Sequence, residues 1–488
     1  MAFESGVLLS FGSVTQTFLA ILLAYLGCGI IYSWYLHPLR HHPGPKWAAV
    51  SPIFHILWDI RGKQHSKIKE LHDSYGDVVR IAPNALVFRG ASAWKDIYGH
   101  RKKGQSVFLK DPALYQPVPN GTNSIITAAP DDHIRMRRLL TYAFSSKALH
   151  DQEEILHTYA DILIDKLRGM LDDSGSHVVD LACWFNFTTF DLIGDLAFGE
   201  PFGCLASNQY HWWATAYLKV LWFYPLLLPL LMSKRLATFN LSVEKVRRRL
   251  KRKTSRPDFF SYILKNNPHG HGMSLDELDA NAAVFVLAGS ETTAALLSGC
   301  VYYLLRSPDK YNRLIKEIRG TLSRASDLKL EALIKLPYLN AVLTEALRIY
   351  PPVPAMLPRI VPEGGAFIDG HFVPAGTSVS IALYSAFHAS AHFKNADEFI
   401  PERWLPSAES DEYSSDQKET FYPFSYGPRN CIGQHLANAE MRLILAKLLW
   451  HFDLDLQPES FHWSNQASFA LWRRPELMIK FARAGRRM

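Results

Sequence analysis

The chain has 488 residues, enough to bury a large core, and its 48% hydrophobic and 20% charged residues exclude a disordered, collagen-like or coiled-coil polypeptide. Lys plus Arg (53) exceeds Asp plus Glu (46) by seven, a mild basic balance that suits an anionic lipid surface or an acidic partner and does not by itself imply nucleic acid. Five scattered cysteines (Cys28, Cys183, Cys204, Cys300, Cys431) contain no C-x-x-C pair, which rules out a disulfide framework and a zinc ribbon.

No charged residue stands between Glu4 and Arg40. Within that stretch Phe18 to Leu36 reads FLAILLAYLGCGIIYSWYL, about the length that spans the hydrocarbon layer as a helix. Tyr32, Trp34 and Tyr35 sit at one end, where amphipathic rings favour the headgroup level. The positive charges, Arg40 and Lys46, follow the apolar run, so the positive-inside rule puts the remainder in the cytoplasm. A cleaved signal peptide needs a positive amino side, and here that side carries only Glu4. Residues 1–36 therefore read as a retained single-pass anchor. Residues 37–46, HPLRHHPGPK, form a stiff Pro-rich hinge expected to lift the body off the bilayer at a set angle. The sequons at Asn120, Asn186 and Asn240 are chance matches on that side of the membrane.

Residues 47–488 contain no internal repeat and no dividing linker, so one catalytic domain is expected. Helical periodicity covers Gln152 to Leu171 and Tyr338 to Tyr350. Strand-like runs occur at Val78 to Ile81 and between Ala366 and Ile381, where Asp369-Gly370 and Pro374 to Gly376 supply turns. The segment 245–256, KVRRRLKRKTSR, reads as a solvated helix face near an anionic membrane in preference to a nucleic-acid patch. Residues 406–420 are polar enough for an exposed, mobile loop.

Ala282 to Leu305 is apolar enough for a second membrane span, but Glu291 lies in its middle and a carboxylate at mid-bilayer is costly. Ser274 and Glu277 make a capping box, and Ser307-Pro308 stops the run, which predicts a helix of about 32 residues buried in the body. Its polar middle, Ser290 to Thr293, is a place to look for function.

The strongest signal is Phe424 to Gly433, FSYGPRNCIG. Its glycines let the backbone turn sharply and approach something flat, and Cys431 precedes a helix expected from Gln434. The positive end of that helix and free backbone N–H groups favour a thiolate. Arg429, two residues earlier, can meet an anionic group of the same ligand. A buried structural cysteine is the alternative for such a residue.

This segment resembles the heme-binding signature F-x-x-G-x-R-x-C-x-G of the cytochrome P450 family at all five fixed positions. The resemblance implies a mainly α fold with small β-sheets and a long central helix, here preceded by one N-terminal transmembrane helix. It implies heme b (iron protoporphyrin IX), with Cys431 as metal ligand and Phe424, Gly427, Arg429 and Gly433 shaping the cofactor loop. Glu345 to Arg348 is similar to the family's E-x-x-R, and Pro401 to Trp404 to its P-E-R-W. Glu345, Arg348 and Arg403 would then form a buried triad. Ala288 to Thr293, AGSETT, resembles the oxygen-binding stretch. Ala288 and Gly289 would leave room for dioxygen, Thr292 would hydrogen-bond it, and Glu291 would relay protons. His133 and Arg137 stand where the family has W-x-x-x-R, with His in place of Trp, and Arg359 resembles another propionate-binding arginine. His388 is expected to be structural.

The wider text is similar to the filamentous-fungal branch typified by isotrichodermin hydroxylases, which implies a monooxygenase of terpenoids or polyketides. The resemblance further implies a membrane-bound NADPH–cytochrome P450 reductase as electron donor, an endoplasmic reticulum location and a lipophilic substrate. Substrate contacts are expected from the 105–130 loop, the 210–232 segment, Val284 to Ala288, Val353 to Leu357 and the region of Phe469. Two rival readings are a thiolate-heme enzyme that isomerises without external electrons and a non-catalytic heme carrier.

Overall fold

The computed structural model describes residues 2–485 apart from 103, 253, 255, 267–271 and 407; the side chains of 2–13, 214–232 and 408–410 also lie outside that description. The apolar amino end is helical over Ala2–Ile31 and closes in a wider turn over Tyr32–Leu36. From Val14 to Leu36 it is long and apolar enough to cross a membrane, and its large apolar side chains are exposed, as lipid contact requires.

The Pro-rich segment after it packs against the body. Leu39 is fully buried in an apolar cluster with Phe88, Trp94 and Phe387. Trp34 Nε1 donates to the Lys46 carbonyl at 3.1 Å, and the Arg80 amide donates to the Pro43 carbonyl at 2.7 Å. Arg80 is 3% exposed and gives its guanidinium to the carbonyls of Ser33 (3.2 Å) and Pro83 (2.7 Å). The end of the anchor helix is thereby tied to the strand Val78–Ala82. Gly44 has φ +153°, and a Cβ there would meet the Arg80 carbonyl oxygen at 2.5 Å, so close approach of the two backbones requires glycine.

The central helix runs over Leu275–Leu305, with Ser274 and Glu277 forming the expected capping box. Most of it is buried, which answers the question of a second membrane span in favour of a core helix. A cross helix, Leu181–Phe198, packs along it. Gly289 permits that approach: a Cβ there would stand 2.6 Å from Ile193 Cδ1. The proximal helix, Gln434–His451, shares the same core. A five-stranded sheet flanks the helices in the order 78–82, 85–88, 378–381, 359–360, 109–110. The hairpin of Ala366–Ile368 and His371–Val373 turns at Asp369 (φ 51°) and Gly370 (φ 76°), the positive-φ pair that a tight hairpin needs.

Glu345, Arg348 and Arg403 come together with no exposure at all. Glu345 accepts from Arg348 at 2.7 and 2.8 Å, from Arg403 at 3.3 Å, from Trp404 Nε1 at 2.8 Å and from the Ile400 amide at 2.8 Å. Arg348 also donates to the carbonyls of Phe387, Ala396 and Glu398. Asp416 pairs with Arg403, so two arginines meet two carboxylates. That residue lies in the stretch read as a mobile loop. Asp416 is 8% exposed and Thr420 fully buried, because the segment supplies the second counter-ion.

The basic run 245–256 has its expected exposed face only in part. Lys245 pairs with Glu200 at 2.8 Å, Arg247 with Asp279 at 2.7 Å and Arg256 with Asp195 at 2.5 Å. Arg249 holds Asp258 through two nitrogens at 2.6 and 2.8 Å. Lys245 and Arg249 are buried against their partners, while Arg248, Lys251, Arg252 and Arg256 stay on the solvated face. Lys253 and Ser255 lie outside the described residues.

Candidate active site

Between the central and proximal helices lies a cavity of about 370 Å³. The loop before the proximal helix forms one wall. Ser425 (φ 62°) and Gly427 (φ 75°) turn it, and a Cβ on Gly427 would collide with the Tyr98 carbonyl. The Cys431 amide then donates to the Phe424 carbonyl at 2.8 Å, closing the loop. Cys431 is exposed, and the space it faces is the cavity. Enclosure within the cavity, away from bulk water, pushes its thiol pKa up, while the Gly433 amide and Arg137 pull it down.

Eight of the ten residues singled out by sequence line this cavity: Thr292, Cys431, Arg429, Phe424, Gly433, Arg137, His133 and Arg359. Gly427 does not; it shapes the loop from behind. Glu291 does not either. Its carboxylate accepts from Arg474 at 2.5 Å, and Arg474 also donates to Asn186 Oδ1 at 3.1 Å. Both members of the pair are almost fully buried. Burial pushes the Glu291 carboxyl pKa up, and Arg474 offsets part of that. Asn186, one of the three sequons, is held inside the body by the same contact, at 6% exposure.

Thr292 donates to the Ala288 carbonyl at 2.5 Å, one turn back, and leaves its oxygen lone pairs toward the cavity. Arg137 gives two nitrogens to Asn430, at 2.7 Å (backbone O) and 2.6 Å (Oδ1), so it braces the cysteine loop. His133 is buried and held neutral: burial, then the charges of Arg429 and Arg137, lower its pKa to about 3. Arg429 is lowered to about 10 by burial and by Arg359. His388 hydrogen-bonds the carbonyls of Tyr384 and Ile349 away from the cavity, a structural position.

Sequence reasoning did not single out four further residues. Lys110 and Tyr115 line the cavity from the 105–130 loop. Glu440, on the proximal helix, is the one carboxylate on the wall among the described residues, and burial raises its pKa to about 8, leaving it neutral. Arg474 carries no local signal, since its partner Glu291 is 183 residues away in sequence. Of the expected substrate contacts, Ile125, Val284, Phe285, Ala288, Val353 and Leu357 line the cavity. Phe469 does not; its ring stands against Gly62. The side chains of 214–232 lie outside the described residues.

The donor set fits heme. Four cations (Lys110, Arg137, Arg359, Arg429) face a cavity whose one acid is neutral, and one guanidinium nitrogen each of Arg359 and Arg429 is buried without a partner. Buried unpaired cations are costly, and two carboxylates would satisfy them. Gly433 has φ −86° and no protein atom closer than 3.8 Å to an added Cβ, so the protein's own packing does not demand glycine there. A flat ligand on its cavity side would. Cys431 supplies the sulfur ligand facing the same space.

Comparison with known proteins agrees. The Cytochrome P450 family profile matches residues 43–481. Similar proteins include the cytochrome P450 monooxygenases astJ of Aspergillus oryzae and atr2 of Stereocaulon alpinum. The first is 46% identical over 92% of this chain and 93% of the relative, the second 43% identical over 95% of each. An averantin hydroxylase of Dothistroma septosporum is 41% identical, covering 96% of this chain and 92% of its own. A cysteine loop over a cation-rich apolar cavity, in a chain matched over most of its length by the family profile and these relatives, places the chain in the cytochrome P450 family of heme-thiolate monooxygenases.

Proposed function

We propose that the protein inserts one atom of dioxygen into a C–H bond of a lipophilic small molecule of terpenoid or polyketide type, in fungal secondary metabolism. The second oxygen atom leaves as water, with two electrons drawn from NADPH through a separate membrane-bound reductase and two protons from solvent. The observation that carries this reading is the shared cavity: Cys431 on one wall, Thr292 and an apolar surface of Val284, Phe285, Val353 and Leu357 on the others.

Heme b, held by Cys431 thiolate and by Arg359, Arg429 and His133 at its carboxylates, supplies the oxidising power when bound. Arg137 and Asn430 keep the cysteine loop in register. The apolar wall positions substrate and excludes water. Thr292 Oγ1 holds a proton at the cavity surface, where its hydroxyl donates to the Ala288 carbonyl and can turn into the cavity. Glu291 stands one residue away, and its carboxylate can take up a proton to hand to this path only when its pair with Arg474 loosens.

Residues 1–36 serve as a single-pass anchor in the endoplasmic reticulum, 37–46 as a docked connector and 47–488 as the cytoplasmic catalytic domain. The basic residues after the apolar run support that orientation. Exposed Arg138 and Lys147, close in sequence to the cavity residues Arg137 and Phe144, offer an acidic reductase a basic face. The test is to supply purified protein with NADPH, a fungal reductase and a panel of lipophiles, and to assay labelled dioxygen in the products. One labelled oxygen per product, dependent on NADPH, supports the reading. Turnover that needs neither reductase nor dioxygen refutes it.

A further inference from the structure

Of the four cations on the cavity wall, three were recognised from sequence; Lys110 was not. It enters on the two-residue strand Leu109–Lys110, whose register sets Lys110 directly opposite Arg359. Opposed residues on antiparallel neighbours leave the sheet on one face, with Cβ atoms about 5 Å apart. Both side chains reach the same cavity. Arg429 approaches from the cysteine loop. Burial and the charges of Arg359 and Arg429 hold the Lys110 pKa well below its usual range. No carboxylate bears on any of the three among the described residues; only the phenols of Tyr98 and Tyr115 do.

Tyr115 belongs to the same cluster. Lys110 Nζ stands 4.2 Å from its ring centroid, and its oxygen faces Arg359 and Arg429. Burial raises its pKa to about 12, so it stays a neutral hydrogen-bond donor. Three converging cations repel one another and have each lost most of their hydration. Such a cluster is stable only around anions, and the heme carboxylates are the anions that this reading of the cavity already requires.

We propose that Lys110 and Tyr115 are heme-carboxylate ligands, donating beside Arg359 from the sheet edge to the propionates that Arg429 meets from the cysteine loop. Charge-assisted hydrogen bonds from ammonium to carboxylate are among the stronger contacts available, and a phenol adds a neutral one. Lys110 thus restrains heme loss without touching the iron ligand. The inference rests on the heme reading above.

The test compares holoenzyme with Lys110→Met and Tyr115→Phe, both close in shape to the native side chains. Heme transfer to excess apomyoglobin should be about tenfold faster in Lys110→Met, equivalent to about 1.4 kcal/mol. Tyr115→Phe should show a smaller acceleration of the same sign. The propionate-bending bands in resonance Raman spectra should shift in both variants, while the reduced carbon monoxide spectrum stays thiolate-type. Unchanged release rates and bands overturn the proposal. So does a Lys110→Met protein that keeps its heme normally and loses only affinity for acidic lipophiles, since Lys110 would then serve a substrate anion. A wild-type protein without a thiolate-heme spectrum would instead overturn the heme reading beneath it.

Discussion

Replacing Arg474 by Met probes the least expected feature of the site. In the native chain Arg474 Nη2 lies 2.5 Å from Glu291 Oε2 and 3.1 Å from Asn186 Oδ1, with the pair 7% and 8% exposed. Removing one partner of a buried ion pair costs about 3–5 kcal/mol, because the other charge is stranded. The Asn186 oxygen loses a donor as well, adding about 1 kcal/mol. Against a typical stability of about 5–15 kcal/mol, the variant keeps a reduced margin. Glu291 without its cation becomes neutral, since burial already pushes its pKa upward. The double variant Arg474→Met with Glu291→Gln should recover part of the loss, with a coupling of about 2 kcal/mol. Guanidinium unfolding of the heme-loaded proteins, followed by circular dichroism and by the Soret band, measures this. NADPH consumed per product, assayed alongside, should rise in Arg474→Met and in Glu291→Gln if the carboxyl relays protons. Single variants within about 0.5 kcal/mol of wild type would refute the buried-pair argument, since an exposed pair behaves that way. An unchanged NADPH ratio in both would remove Glu291 from proton delivery.

Arg348→Ala leaves Glu345 short of its main partner and three carbonyls without donors, so the purified variant should be heme-poor and melt far below wild type; normal heme content at normal yield counts against the network. Arg80→Met should free the end of the anchor helix, raising limited proteolysis within 37–46 in membrane nanodiscs several-fold, whereas an unchanged cleavage pattern means that Leu39 and the Pro43 contact suffice. Burial lowers the pKa of His65 and His72 to about 4 each, so both are neutral in the folded chain. Above pH 6.5 neither the folded nor the unfolded form is protonated at these sites. As pH falls from 6.5 toward 4 the unfolded chain takes up protons first, and stability drops by up to about 3 kcal/mol per group. Melting temperatures across that range should fall, with a shallower slope in His72→Gln; equal slopes would mean that His72 is not buried neutral.

What could be read from the sequence was what short stretches encode. The central helix carries its own start in Ser274 and Glu277 and its own stop in Pro308, so its ends were predictable to within a residue or two. The cysteine loop is equally local: Gly427 answers to a positive φ, and Gly433 to the open space beside it. Eight of the ten expected site residues consequently meet at one cavity. The features that escaped depend on partners distant in the chain. Glu291 looks like a cavity acid until Arg474 arrives from the carboxyl-terminal end. Counting charges along 245–256 gives no sight of Glu200, Asp279 or Asp258, which hold Lys245, Arg247 and Arg249. Lys110 sits on a strand too short to leave a periodic pattern, and only its pairing with Arg359 reveals its face. Asp416 looked like loop polarity and proved to be the second counter-ion of Arg403.

The central claim is that Cys431, facing the cavity from the loop before the proximal helix, is the thiolate ligand of heme iron. The reduced carbon monoxide spectrum of wild type and Cys431→His tests it most directly. Wild type should give the strongly red-shifted Soret band of thiolate-bound heme, and Cys431→His the shorter-wavelength band of an imidazole-bound one. An imidazole-type spectrum from wild type, or a red-shifted band that survives in Cys431→His, would contradict it.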